Sequence, residues 1–311
     1  MKLRIFVEPQ QGGSYDDILA AATATERFGF DGFFRSDHFL KMGDVSGQPG
    51  PTDAWVTLAG LARDTSRVRL GTLVSSATFR PPALLAVQVA QVDAMSGGRI
   101  EFGFGTGWYE AEHAAFGIPF PARRFDLFEE QLEIITGLWN TPKGETYSYS
   151  GDQYTLVDNP ATPKPVQRPL PVIIGGKGKT RTPALAARYA TEFNIPFASS
   201  LDDVPVLLSA TNEACKAIGR EPDTLRKSIA VVAAVGATEA DFVRRAESIG
   251  RDPKELRRAA LAGTPDEARE RLAALEAQGI ETVYLQLWDL RDLELIELLA
   301  SEVLSLPDTS A

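Results

Sequence analysis

RVRLGTLVSSATFRPPALLAVQVAQVDAMSGGRIEFGFGT, residues 67–106, reads as strand, helix, strand. RVRLGTLV (67–74) and RIEFGFGT (99–106) are short apolar runs of strand length. PPALLAVQVAQVDAMSGG between them starts on prolines and stops at glycines, the polarity of a helix. The same alternation continues in both directions. Upstream lie strand candidates at 3–9 and 32–38; downstream lie 171–176, a weaker one at 192–198, 228–236 and 282–288. Helical patterns fill the gaps. SYDDILAAATATERFG opens on Ser14 as N-cap with Asp17 in the first turn, TDAWVTLAGLARDT follows the second strand, and TPDEARERLAALEAQG carries Thr264 as N-cap and Pro265 at N1. ARRFDLFEEQLEIITGLWN puts Phe125, Phe128, Leu132, Ile135 and Trp139 on one face, and DLELIELLASEVLSL is the last helix. Eight strand–helix units in 311 residues describe an α/β fold of the (β/α)8 TIM-barrel class, whose usual size is about 250 residues plus insertions. A doubly wound sheet is the rival, which periodicity alone does not separate.

The chain is expected to form a single domain over 1–311 with an excursion at about 141–170, where a hairpin turns at Ser150–Gly151–Asp152 and returns through a Pro-rich segment. A second long connection, 39–51, leaves the second strand. Both exceed the two to six residues typical of such loops, and long loops serve as lids or binding surfaces.

Composition narrows the function. With 44% hydrophobic and 24% charged residues the chain has the make-up of a soluble globular protein. A net charge of −10 argues against general affinity for nucleic acid or an anionic membrane. Cys215 is the only cysteine, which excludes an intrachain disulfide and argues against a cysteine-ligated zinc; no metal site is expected. The N-terminus lacks a secretory pattern and no run reaches membrane-span length, so the expected location is cytoplasmic.

Four segments at expected strand ends carry chemistry, the place where barrel enzymes keep it. Asp37–His38 holds one of only two histidines beside an acid that can orient the ring or hold its proton; the plain alternative is an end-of-strand histidine bonded to a carbonyl. LVSSATFRPP (73–82) offers small hydroxyl residues to a flat ligand, or simply caps the next helix. GFGTGWYEAEHAAFG (103–117) has glycines, which imply close approach of a ligand or a packed helix, followed by Glu110, Glu112 and His113, some of which could face solvent. GGKGKTRT (175–182) opens a helix with Lys177, Lys179 and Arg181, an anion site that misses a P-loop because position 173 is Ile.

Taken together and in order, these segments resemble the luciferase-like monooxygenase superfamily, and within it the oxidoreductases that use the deazaflavin coenzyme F420. GFFRSDHFL, GPTDAWVTLAGLARDTSRVRLGTLV, FRPPALLAVQVAQVDAMSGGRIEFGFGTGWYEAEHAAFGIPF, RFDLFEEQLEIITGLW and PVIIGGKGKT carry the resemblance. It implies a luciferase-like barrel with an insertion region, a homodimer, and a coenzyme held at the C-terminal mouth. His38 is implied as the proton donor or acceptor of a hydride transfer and Asp37 as a contact to the ring. Leu73–Val74 is implied as a non-prolyl cis peptide behind the ring, with Ser76, Gly105 and Gly107 as ring and ribityl contacts. Gly175, Gly176, Lys177, Gly178, Lys179 and Thr180 match the phosphate cradle, and Trp108 and Glu112 fall at the substrate pocket. Sugar-phosphate dehydrogenases of the family carry a glutamate where this chain has Trp108, and a lysine where it has Ala198. That departure turns the expectation toward a more hydrophobic small-molecule substrate. The implied activity is F420-dependent hydride transfer to or from an imine, alkene, carbonyl or alcohol. The alternatives are an FMN-dependent monooxygenase on the same barrel and a catalytically silent flavin-binding protein.

Overall fold

In the computed structural model, which describes residues 1–198 and 200–304, the eight apolar runs become eight parallel strands. They are β1 (Lys2–Val7), β2 (Gly32–Arg35), β3 (Arg69–Thr72), β4 (Ile100–Gly105), β5 (Val172–Gly175), β6 (Glu192–Pro196), β7 (Arg226–Val235) and β8 (Thr282–Leu287). Each pairs with the next, and β8 pairs back to β1 with Lys2 opposite Thr282, so the sheet closes and the doubly wound rival is excluded. Two strands end earlier than the sequence suggests. β2 stops at Arg35, freeing residues 36–38 from the sheet; β3 stops at Thr72, where a cis Leu73–Val74 bond intervenes before Ser75–Ser76 rejoins β4.

Eleven α-helices cover the barrel among the described residues: α1 (Tyr15–Arg27), α2 (Ala54–Asp64), α3 (Pro82–Ser96), α4 (Glu110–Phe116), α5 (Arg124–Asn140), α6 (Arg181–Tyr189), α7 (Val204–Ala217), α8 (Glu239–Ser248), α9 (Pro253–Ala259), α10 (Pro265–Ala277) and α11 (Leu293–Leu299). Their starts follow local chemistry. Ser14 and Thr264 both form the reciprocal capping box, with Asp17 and Glu267 reaching back to the cap N–H. The expected last helix reaches Leu304 through a π-turn, and its final residues, 305 and 306, lie outside the described residues with the PDTSA tail. The excursion is the expected hairpin, Tyr147–Ser150 against Thr155–Asn159, and Glu130 of α5 accepts from the N–H groups of Asp152, Gln153 and Tyr154 at its turn. No helix among the described residues is long and apolar enough to cross a membrane.

The barrel interior is layered, because alternate residues of each strand point inward. At the N-terminal end Arg4 bridges Glu101 (2.7 Å), Asp31 (2.6 Å) and the Tyr284 hydroxyl (2.8 Å), while Tyr284 donates to Glu192 at 2.7 Å. Above it sits a plug of Phe6, Phe34, Ile173, Ala230 and Tyr284. Above the plug, at the C-terminal ends of the strands, the barrel is hollow. The outward faces of the same strands, Leu3, Ile5 and Val7 on β1 for example, pack under the helices in the main core.

Candidate active site at the barrel mouth

The hollow is a cavity of about 470 Å³ with residues from the ends of seven strands on its wall. It gathers twelve of the sequence-derived candidates: Asp37 and His38, then Leu73, Val74 and Ser76, then Gly105, Gly107, Trp108 and Glu112, and finally Gly175, Gly176 and Lys177. Gly178, Lys179 and Thr180 are not on the cavity wall; they lie exposed where the chain enters α6.

His38 owes its orientation to an acid 74 residues away. Its Nδ1 is 2.9 Å from Glu112 Oε2, and Glu112 is fully buried. Burial works to raise the pKa of Glu112, but His38 and the backbone N–H groups of Phe39 and Leu40 outweigh it and hold the carboxyl below its usual range. An ionised carboxylate only accepts, so Nδ1 carries the hydrogen and Nε2 is the nitrogen left to a ligand. No residue among those described hydrogen-bonds Nε2. The β2–α2 connection bends over this carboxylate because Phe39 and Leu40 both donate to Oε1.

The neighbouring acid has a different job. Both Asp37 oxygens bind Arg80, at 2.5 and 3.2 Å, and Arg80 also holds Asp53 at 2.6 Å. Asp53 is the N-cap of α2, accepting from Trp55 and Val56 N–H groups. Desolvation opposes the Arg80 charge, yet the two carboxylates raise its pKa overall. The expectation that Asp37 orients the imidazole is therefore corrected: Glu112 does so, and Asp37 belongs to an ion-pair clamp joining the ends of β2 and α2.

Glycines 105 and 107 are explained by the protein itself. A Cβ on Gly105 would lie 2.9 Å from Val74 Cγ2, and one on Gly107, at φ +76°, would meet Ser76 Oγ at 2.4 Å. What approaches them is the bulge after β3, neither a helix nor, of necessity, a ligand. Ser76 in turn bonds Thr78 (2.6 Å), which bonds His113 Nε2 (2.6 Å), and His113 Nδ1 donates to the Tyr109 carbonyl (2.7 Å). The second histidine is thus buried with both nitrogens engaged. Of the three polar groups that could have faced solvent, only Glu110 does. Trp108 is 64% exposed, stacked on Tyr109 with ring centroids 5.2 Å apart and edge-on to His38 at 5.9 Å; it rims the cavity and does not plug it.

At the cradle, Thr180 provides no side-chain cap to α6, which leaves the first N–H groups of the helix bare. Lys177 Nζ sits on the Phe197 carbonyl at 2.5 Å, and Arg181 is paired with Asp126 (2.6 Å) and Glu129 on α5. Arg181 is thereby engaged by acids of α5, a correction to its reading as one of the cations of the anion site; Lys179 carries no partner among the described residues. Sequence reading missed Arg80, and it missed Glu8, a carboxylate on the cavity wall whose alternation with Arg4 and Phe6 marks it as inward-facing.

Comparison with known proteins agrees with this architecture. The family model described as luciferase-like monooxygenase matches residues 1–255. The chain is 32% identical over 180 residues to the pyrimidine monooxygenase RutA of Escherichia coli K12, a match covering 54% of this chain and 45% of that protein. It thus spans about half the length of the curated relatives of that name. Among solved structures, an F420-dependent secondary alcohol dehydrogenase in complex with an F420-acetone adduct superposes with a TM-score of 0.84 at 18% identity, covering 99% of each chain. The monooxygenase RslO1 of Streptomyces bottropensis superposes with a TM-score of 0.79 at 23% identity, covering 98% of this chain and 99% of that one. These structures share the fold.

Proposed function

The chain belongs to the luciferase-like monooxygenase family, a family of oxidoreductases, and on that premise we propose that it is a coenzyme F420-dependent oxidoreductase acting on a small organic substrate. The observation that carries the reading is the His38–Glu112 pair: a buried, ionised carboxylate 2.9 Å from Nδ1 leaves Nε2 of a cavity-lining histidine free to take or give a proton.

The residues present fit such a coenzyme. The cavity wall is mostly apolar where a ring system would lie, between the Leu73–Val74 bulge and Phe6, Ala230 and Phe197. Ser76, Gly105 and Gly107 would border the ring, and Gly175, Gly176, Lys177, Gly178, Lys179 and Thr180 with the uncapped start of α6 would take its phosphate. Bound there, a deazaflavin would carry the hydride to or from the substrate, and would react poorly with oxygen. The protein's part is to hold the ring, to fix the His38 imidazole through Glu112 so that Nε2 is presented for proton transfer, and to exclude water with the phenylalanine plug below. The solved structure of an F420-dependent alcohol dehydrogenase on the same fold supports this choice of coenzyme. A second reading, an FMN-dependent monooxygenase, draws on the 32% identity to a pyrimidine monooxygenase. A homodimer is also part of the proposal. Val56 on α2 and Leu84 on α3, helices packed against each other, are 74% and 61% exposed and would be covered by a second copy.

Fluorescence titration of the apoprotein with F420 and, in parallel, with FMN tests the reading. Saturable binding of F420 in preference to FMN is expected, and His38→Ala is expected to bind F420 as the wild type does while losing about 10²-fold or more in turnover. Preference for FMN overturns the first reading in favour of the second.

A further inference from the structure

Beside the first cavity lies a second of about 440 Å³, and the two share Glu8, Trp108 and Phe197. Its walls include Trp288, Val232, Leu256 and Ala259. Of its charged residues, Arg251 pairs with Glu255 at 2.8 Å and lies over the Trp288 ring at 5.4 Å, while Arg258 is exposed to solvent.

At the neck, hydrogen bonds run with a single polarity. The indole Nε1–H of Trp288 can only donate, and it donates to Gln286 Oε1 at 2.9 Å. That sets the Gln286 amide so that its Nε2 faces Glu8, donating to Oε2 at 2.6 Å. Oε2 is thereby an acceptor already in use, and Glu8 borders both cavities at the neck. Burial, the dominant influence, raises the Glu8 pKa, and His38, Gln10 and Gln286 offset it only in part. Glu8 and Glu112 therefore differ in kind: one carboxyl is biased toward its neutral form and the other held as an anion, the separation that gives two acids in one site different roles.

We propose that the second cavity is the chamber for a flat, largely apolar substrate, and that Glu8 donates a hydrogen bond at the neck to that substrate's carbonyl or imine acceptor. This rests on the oxidoreductase reading for its meaning, since the neck turns the acceptor toward the cavity assigned to the coenzyme. Glu8 then selects substrates by their acceptor, while proton transfer stays with His38.

The test is isothermal titration with 2-acetonaphthone, a flat aryl ketone, and with 2-ethylnaphthalene, which lacks the acceptor. The wild type is expected to prefer the ketone about five-fold, the scale of one hydrogen bond. Glu8→Leu is expected to erase the preference and Glu8→Gln, which keeps a donor, to retain it; Ala259→Trp, filling the chamber, is expected to weaken both ligands ten-fold or more. Equal binding of ketone and hydrocarbon by the wild type, a preference that survives Glu8→Leu, or ligands indifferent to Ala259→Trp would each overturn the proposal. F420 titration and thermal melting of the same variants separate the possibilities. Absence of a ketone preference in the wild type with F420 binding intact sinks the chamber alone, whereas failure of F420 to bind the wild type sinks the oxidoreductase reading whatever the ketone does.

Discussion

Glu112 sets which nitrogen of His38 is engaged. Its two oxygens take three donors, His38 Nδ1 and the N–H groups of Phe39 and Leu40, so one side chain both shapes the β2–α2 connection and selects the imidazole tautomer. With only two histidines in the chain, nitrogen NMR resolves the consequence directly. Wild-type His38 is expected to keep its hydrogen on Nδ1 when neutral. Glu112→Ala is expected to release it to Nε2, because the tautomer follows the hydrogen bond the other nitrogen makes. Unchanged nitrogen shifts in the variant would show that Glu112 does not set the ring. Glu112 was legible in the sequence as a member of an acidic cluster, but its partner was not: an adjacent pair such as Asp37–His38 suggests a contact that the backbone then directs elsewhere.

Among the elements, turns are pinned by carboxylates receiving backbone donors. Glu26 at the end of α1 accepts from the N–H groups of Ser66, Arg67 and Val68, fastening the connection into β3. Burial acts to raise its pKa, but these donors outweigh it and bring it to about 2. A carboxyl lowered in the folded state contributes stability above its unfolded pKa of about 4.3 and loses it as pH falls toward the folded value. Glu26→Gln is therefore expected to cost about 1 kcal/mol at pH 7, allowing for solvent screening, and only a small part of that at pH 2. Denaturant melts at the two pH values check this; an equal deficit at both would assign the loss to packing. The starts of α1 and α10 were readable from Ser14 and Thr264, since a capping box is local chemistry. The early ends of β2 and β3 were not, because a strand ends where its neighbour stops offering hydrogen bonds.

For the whole molecule, the closed barrel stacks an ion network, an aromatic plug and a reactive cavity along one axis. Arg4 is the hub of the network and is completely buried, with Glu101 and Glu192 beside it. Removing one member of a buried ion network leaves charges without compensation, so Arg4→Met is expected to destabilise by about 3–5 kcal/mol in guanidinium unfolding. A loss below about 1 kcal/mol would mean that Arg69, paired with Glu101, and Arg226, 3.7 Å from Glu101 and 3.5 Å from Glu192, already suffice. Since the plug of Phe6, Phe34 and Tyr284 stands between network and cavity, surviving folded Arg4→Met is expected to bind coenzyme as the wild type does.

What the sequence determined by itself is the periodic part: eight apolar runs separated by capped helices, a hairpin between α5 and β5, and glycines and hydroxyls at strand ends. These depend on neighbours one to four residues apart, where spacing and side-chain type decide the outcome. Tertiary structure alone decided which groups meet. The closure of β8 onto β1 brings Gln286 to Glu8 across 278 residues, and the bend after β2 sets His38 on Glu112 while Arg80 takes Asp37. Such pairings depend on distances between strand ends, which no local pattern encodes, and they separate a row of candidate residues into a hydrogen-bonded histidine–glutamate pair, a structural clamp and a buried acid bordering two cavities.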